Sequence, residues 1–303
     1  MPPQSSSADP VVRLAHFSDI HLTAKPLGWR ARDFLTKRTT AWMNLKLRRG
    51  RRFRAAEAIV DAIVGEIRER GCDRIVFSGD ATNMGFASEL AAAARALPFD
   101  LPGIAVPGNH DYYVRSAVAA GLFEQRFAPW QTGNRIGAAI YPFAQRVGHC
   151  WLVGLNSATS NFLLWDARGG VGRPQSERLR ELLRSLSPGP RILVTHYPIF
   201  LADENPELFW RRMRDWKAIQ RIASEVGISL WLHGHRHSGY VLRPRLPDRP
   251  FTAVCAGSAT QVGLWSYNEY SIVGNRLQMN RRTWSPDEGR FRDSDNAEIA
   301  LFG

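Results

Sequence analysis

The spacing of apolar residues changes several times along the chain, and each change predicts an element. Residues 11–18 (VVRLAHFS) are apolar, partly β-branched, and run into polar residues, as a strand would. Residues 54–71 (RAAEAIVDAIVGEIRERG) carry apolar side chains at helical spacing and stop at a glycine. A second strand is expected at 73–80 (DRIVFSGD), a second helix at 86–97 and a third strand at 103–108. Strands alternating with helices imply parallel pairing through right-handed crossovers. In such sheets functional groups gather beyond the carboxyl ends of the strands. The second half repeats the theme, with strands at 149–157, 191–198 and 228–237 and a helix at 176–186. From Gly239 onward the runs GYVLRP, FTAVCAG, EYSIVGN and RLQMNRRTW are separated by turn residues and predict antiparallel strands.

Composition narrows the class. A chain of 303 residues with 44% hydrophobic and 22% charged residues is ordinary for a globular protein. Cys72, Cys150 and Cys255 lie far apart with no C-x-x-C, which argues against a disulfide framework or zinc ribbon and fits a reducing compartment. The start, MPPQSSSADPVV, has neither a basic nor an apolar region of a signal peptide, and no run approaches the roughly 18 apolar residues of a membrane span. The expected location is cytoplasmic. The net charge of +12 is concentrated: residues 25–54 hold eleven Lys/Arg against one acid, Asp33. The remainder, with 29 basic and 27 acidic residues, is nearly neutral.

Five predicted strands end in groups that can bind metal. The first gives Asp19 and His21, the second Asp80, the third Asn109, His110 and Asp111, and later ones His196 and the pair His235 and His237. A D-x-H or H-x-H pair in extended chain sends both side chains to one side, so both can reach one ion. Imidazoles mixed with carboxylates suit Zn, Fe, Mn or Ni better than Mg or Ca. Two ions about 3.5–4 Å apart need a shared anionic ligand, and Asp80, following Gly79, fits that bridging role. Asn109 would add an oxygen without charge. His16, His149 and His233 lack this context and are expected to be structural.

The order D-x-H, G-D, G-N-H-D, H, G-H-x-H resembles the calcineurin-like metallophosphoesterase superfamily. It spans Asp19-Ile20-His21, Gly79-Asp80, Gly108-Asn109-His110-Asp111, His196 and Gly234-His235-Arg236-His237. The segments FSDIHL, SGDATNMG and LVGLNSA look most like the branch that includes class III cyclic-nucleotide and glycerophosphodiester phosphodiesterases, although Asn83 stands where many of that branch carry an acid. The resemblance implies a four-layer α/β/β/α sandwich of two packed mixed sheets flanked by helices, in a single domain over residues 1–303. It implies two divalent ions (Mn, Fe or Zn), one held by Asp19, His21, Asp80 and His237, the other by Asp80, Asn109, His196 and His235. It also implies in-line attack on a phosphodiester by a metal-bound hydroxide, with His110 beside the leaving group and Asp111 orienting His110.

The segment 25–54 stands out as a basic-aromatic insert between the first strand and the first helix. Trp29, Trp42, Arg48, Arg49, Arg51 and Arg52 are its candidate surface residues. It is expected to be mostly helical, with Trp42, Leu45 and their neighbours on one apolar side. Such surfaces sit well at anionic bilayers, and similar inserts occur in superfamily members that hydrolyse UDP-diacylglucosamine. Those commonly have Arg where His110 stands. Three readings follow in order: a phosphodiesterase, a peripheral membrane hydrolase of a lipid-linked phosphate or pyrophosphate, and a nucleic-acid-binding protein. The last ranks lowest because the charge is confined to one segment.

Overall fold

The computed structural model describes residues 11–244 and 249–303; the reading of the N-terminus as lacking a signal segment falls mainly on residues 1–10, outside the described residues. Thirteen strands are assigned among the described residues: β1 Val12–Phe17, β2 Arg74–Phe77, β3 Gly103–Ala105, β4 Asn134–Arg135, β5 Phe143–Val147, β6 Cys150–Gly154, β7 Arg191–Val194, β8 Ile228–His233, β9 Tyr240–Leu242, β10 Thr252–Cys255, β11 Ser266–Val273, β12 Arg276–Ser285 and β13 Arg290–Ala300. They form two mixed sheets, in the orders β13-β12-β11-β1-β2-β3 and β4-β5-β6-β7-β8-β10-β9.

Strand parity explains the layering. In the first sheet Leu14, Val76 and Ile104 point to one face and meet Leu152, Ile192, Leu230 and Val254 of the second. Their sequence neighbours Ala15, Phe17, Ile75 and Phe77 point the other way, into the buried cluster that includes Ile59, Ile63 and Leu90. Those last three belong to the helices Ala56–Glu69 and Ala87–Ala96. On the far side, Val153, Leu193 and Trp231 pack with Leu179, Leu182, Ile219 and Ile222, which lie on the helices Arg173–Ser185 and Trp216–Glu225. The architecture is the expected α/β/β/α sandwich.

Pairing departs from expectation in places. β1, β2 and β3 are parallel and β11, β12 and β13 antiparallel, but FTAVCAG, read as antiparallel, supplies β10, which runs parallel to β8 and antiparallel only to β9. The chain leaves β8, crosses to the sheet edge as β9 and returns between the two, so it lies alongside β8 in the same direction. β13 was not foreseen because its RFRDSDNAEIA sequence is charged at most exposed positions. Its ladder to β12 is reinforced by the Arg282–Asp293 ion pair at 2.7 Å.

The insert is helical in pieces, with a 3₁₀ turn Ala31–Leu35, an α-helix Arg38–Asn44 and a π-helical turn Leu45–Arg49. Its apolar residues do not share one side as expected. Leu45 packs inward on Met84 and Phe86, and Trp29 stacks on Phe34 and edges against Trp42. Phe34, Leu35, Met43 and Leu47 face outward. The inward side is fixed by Arg38, whose Nε donates to the Met84 carbonyl at 3.0 Å and which pairs with Asp33 at 2.6 Å.

Leu152, fully buried between the sheets, tests this packing. Leu152→Ala should lower stability by about 2–5 kcal/mol, as large-to-small core substitutions do. A denaturant midpoint close to that of the parent would show that the inter-sheet layer is not the main core.

Candidate dinuclear metal centre

Asp19 and His21 lie on the one loop that leaves β1, and its amides are zipped to the loop after β2: Asp19 N donates to the Gly79 carbonyl at 2.9 Å and His21 N to the Asp80 carbonyl at 3.1 Å. The two side chains do not converge by extended-strand alternation. Asp19, His21, Asp80 and His235 all adopt left-handed backbone, with φ of 55°, 43°, 59° and 67°. Positive φ in non-glycine residues is strained and clusters at functional sites; Glu204 is the one other such residue among those described. The adjoining glycines are dictated by contact. A Cβ at Gly108 would lie 2.1 Å from Asp80 Oδ1, and one at Gly79, whose φ is +99°, 2.6 Å from the Gly108 amide nitrogen.

The imidazoles are aimed by their outer nitrogens. His21 Nδ1 lies 2.9 Å from the Thr82 carbonyl and His196 Nδ1 2.8 Å from the Ser78 carbonyl, so each Nδ1–H donates and each Nε2 offers its lone pair to the site. His237 Nδ1 pairs with Gln261 Oε1 in the same way. Asp80 Oδ2 sits 3.7 Å from His21 Nε2 and 3.4 Å from His196 Nε2, between the two groups. Asp80 Oδ1 is held by the His110 amide at 2.7 Å. Asp19 Oδ1 lies 3.6 Å from His21 Nε2 and 3.4 Å from His237 Nε2, yet it is buried with no hydrogen-bond partner. On the other side Asn109 Oδ1 is 3.2 Å from His196 Nε2 and 3.0 Å from His235 Nδ1; His235 Nε2 is buried without a partner. Donor atoms of Asp19, His21 and His237, of His21, Asp80 and His110, and of Asp19, Asp80 and His196 come close enough together to hold an ion.

The electrostatics ask for cations. Burial alone would raise Asp19, but its contacts with His21 and His237 hold it well below the usual carboxylate range. Asp80 is likewise lowered against its burial, mainly by His196. Burial would lower His196, yet the Asp80 charge raises it to about 9. A buried pair of ionised carboxylates is tolerated only with compensating charge, and here a bound cation would take the place of that proton. The donor set and the orphaned Asp19 oxygen fit two divalent ions.

Two readings change. Asp111 does not orient the His110 ring. Its carboxylate is buried and accepts the amides of Asp80 at 2.9 Å, Gly108 at 2.9 Å and Thr82 at 3.1 Å, so it ties the two ligand loops together. His110 Nδ1 is held instead by the Asn83 carbonyl at 2.7 Å, and its ring lies edge-on to His21 and stacks on Tyr113. Arg49, expected with its neighbours on a substrate or membrane surface of the insert near the site, turns inward to His21. Arg48, Arg51 and Arg52 are exposed, as expected. Leu45, Arg49 and Phe53 recur at intervals of four on the inward side, a spacing that could have flagged Arg49. His16 is a satisfied core histidine, bonded to Tyr270 Oη at 3.0 Å and Ser78 Oγ at 2.9 Å. His149 and His233 lie outside the ligand groups.

A model of the calcineurin-like phosphoesterase family matches residues 12–239, and the chain belongs to that family. Members use dinuclear metal centres, and the residues above are its candidate ligands. Among solved structures, the chain is similar to a dimetal phosphatase from Danio rerio at 14% identity, with a TM-score of 0.66, 96% of this chain and 99% of that one covered. It is also similar to the purple acid phosphatase PPD1 from yellow lupin seeds at 14% identity and a TM-score of 0.59, spanning 96% of this chain and 54% of that one. GAP50, the anchor in the inner membrane complex of Plasmodium, matches at 12% identity and a TM-score of 0.53, over 97% and 90% of the two chains. These likenesses establish the fold. No curated protein matches the sequence. No helix among the described residues is long and apolar enough to cross a membrane.

Because Asp80 Oδ2 stands between the two imidazole groups, Asp80→Ala should reduce metal content from near two ions per chain to one or fewer after reconstitution with Mn. Elemental analysis reads this directly, and retention of two ions would remove Asp80 from the bridging position.

Proposed function

We propose that the protein is a dinuclear-metal phosphodiesterase. The observation that carries this reading is Asp80 Oδ2 lying between His21 and His196 while His110 stands beside them, tethered but not among the seven ligands. Two divalent ions held by Asp19, His21, Asp80 and His237 on one side and Asp80, Asn109, His196 and His235 on the other would activate water and neutralise phosphate oxygens. Asp80 positions both halves of the site. The Asn83 carbonyl takes the Nδ1 proton of His110 as a hydrogen bond, which leaves Nε2 to act at the leaving oxygen when protonated or to accept a hydrogen bond when neutral. Burial and the Arg49 charge pull His110 well below the ordinary imidazole range.

A second reading, an amphiphilic phosphoester as substrate, is favoured by a specific feature. A cavity of about 530 Å³ opens between the insert and residues 161–165, with Tyr113 as one wall. Tyr113 stacks on His110 with ring centroids 5.6 Å apart, so cavity and centre share a side chain. Leu35, Phe162 and Trp165 line it while remaining 92%, 82% and 62% exposed. Contiguous exposed apolar surface of this kind marks binding sites.

His110→Ala should keep both ions and lose turnover of a diester with a poor leaving group by about 10²–10⁴, the contribution of a general acid. Parent-like kcat would separate His110 from leaving-group departure. The two substrate classes part on chain length: against Mn-loaded protein, p-nitrophenyl decyl phosphate should show a KM at least about tenfold below that of the methyl ester if the cavity takes an apolar chain. Equal KM values favour a small soluble diester.

A further inference from the structure

We infer that Arg49, carried into the centre by the insert, is an anion-binding arm that grips the phosphoryl group beside His110. The inference rests on the phosphoester reading and gives one residue of the expected substrate or membrane surface a specific place in that site.

The geometry is specific. Arg49 closes the π-helical turn Leu45–Arg49. Its Nε donates to Asn83 Oδ1 at 3.0 Å, and its guanidinium lies over the Phe53 ring at 5.0 Å. Nη2 stands 3.2 Å from His21 Nδ1 and 3.1 Å from His21 Nε2. Equal spacing from both ring nitrogens puts it over the imidazole face and off the Nε2 lone-pair axis, so Arg49 and a metal can both occupy their places. Asn83 is fixed in turn, its Nδ2 donating to the His21 carbonyl at 2.5 Å and to Thr23 Oγ1 at 2.7 Å. The guanidinium is therefore aimed by a neutral amide and a phenyl ring.

What it lacks is a counter-charge. Among the described residues no carboxylate lies within ion-pair distance of Arg49, whereas the half-buried or buried Arg38, Arg236, Arg249 and Arg282 each have one. The nearest acids, Asp19 and Asp80, are committed to the metal positions. A desolvated guanidinium with free N–H donors is a poor occupant of a site meant to hold two cations unless an anion joins them. Guanidinium is the preferred partner for phosphate oxygens because its donors match them in pairs. Its position over His21, whose ring contacts His110, puts that anion at the oxygen next to the leaving group. A purely structural anchor would have been served by Lys or Gln reaching Asn83.

The test uses the full chain loaded with Mn and inorganic phosphate as the probe, followed by calorimetry. Arg49→Gln can still bond to Asn83. It should retain two ions and the parent melting temperature, weaken phosphate binding by about 10-fold or more, as the loss of a charge-assisted pair does, and raise KM for bis-p-nitrophenyl phosphate. Arg49→Lys should recover part of the affinity, and Arg54→Gln, an exposed cation on the same segment, should change it little. Unchanged phosphate affinity in Arg49→Gln overturns the inference while leaving the phosphoesterase reading intact. A parent protein that binds two ions but no phosphate overturns both.

Discussion

Two carboxylates, Asp19 and Asp80, are buried within a few ångströms of the imidazoles of His21, His196 and His237, and one of their oxygens has no partner. Removing such charges from water is expensive unless opposite charge is fixed beside them. The rest of the molecule can be understood as what makes that arrangement tolerable. Left-handed backbone at four ligands, glycines with no room for a Cβ and carbonyls that select imidazole tautomers all serve to bring donor atoms to common points. The strain is local, and the sandwich beneath it is packed with ordinary aliphatic parity, which supplies the stability that the site does not.

Asp111 shows how that precision is obtained. Its burial and the neighbouring Asp80 charge push it up to about 7, an unfavourable place for an acid. It nevertheless receives three amide N–H groups from two loops. It holds the loop after β2 against the loop after β3, so the ligand geometry follows from a side chain that is not itself a ligand.

Much of this was legible in the sequence. Apolar runs ending in Asp or His predicted the strands and the ligand order, because a parallel strand buried on both faces leaves a strong, near-continuous signal. Other features lack such a signal. The role of Asp111 depends on amides some thirty positions upstream. Arg49 looks like one of eleven cations until the tertiary fold decides which of them turns inward. β13 is masked by charges that pair with β12 across the ladder. The apolar residues 162–165 carry no strand or helix period, and only the fold brings them beside the insert.

The first strand sits in the middle of its sheet, not at the edge. β1 is bonded on one side to β2 and on the other to β11, whose residues lie about 250 positions later. The same distant region reaches the centre itself: Ser258 Oγ donates to the Asp19 carbonyl at 2.9 Å and Thr260 Oγ1 to the Ile20 carbonyl at 2.7 Å. During synthesis the first ligand loop therefore waits, with one side of its strand unpaired, until almost the whole chain has emerged. Contacts of such sequence separation form slowly and leave a strand edge open to wrong partners in the meantime. The loop that carries Asp19 is thus held in part by residues beyond 257, so its geometry is not a property of the N-terminal half alone.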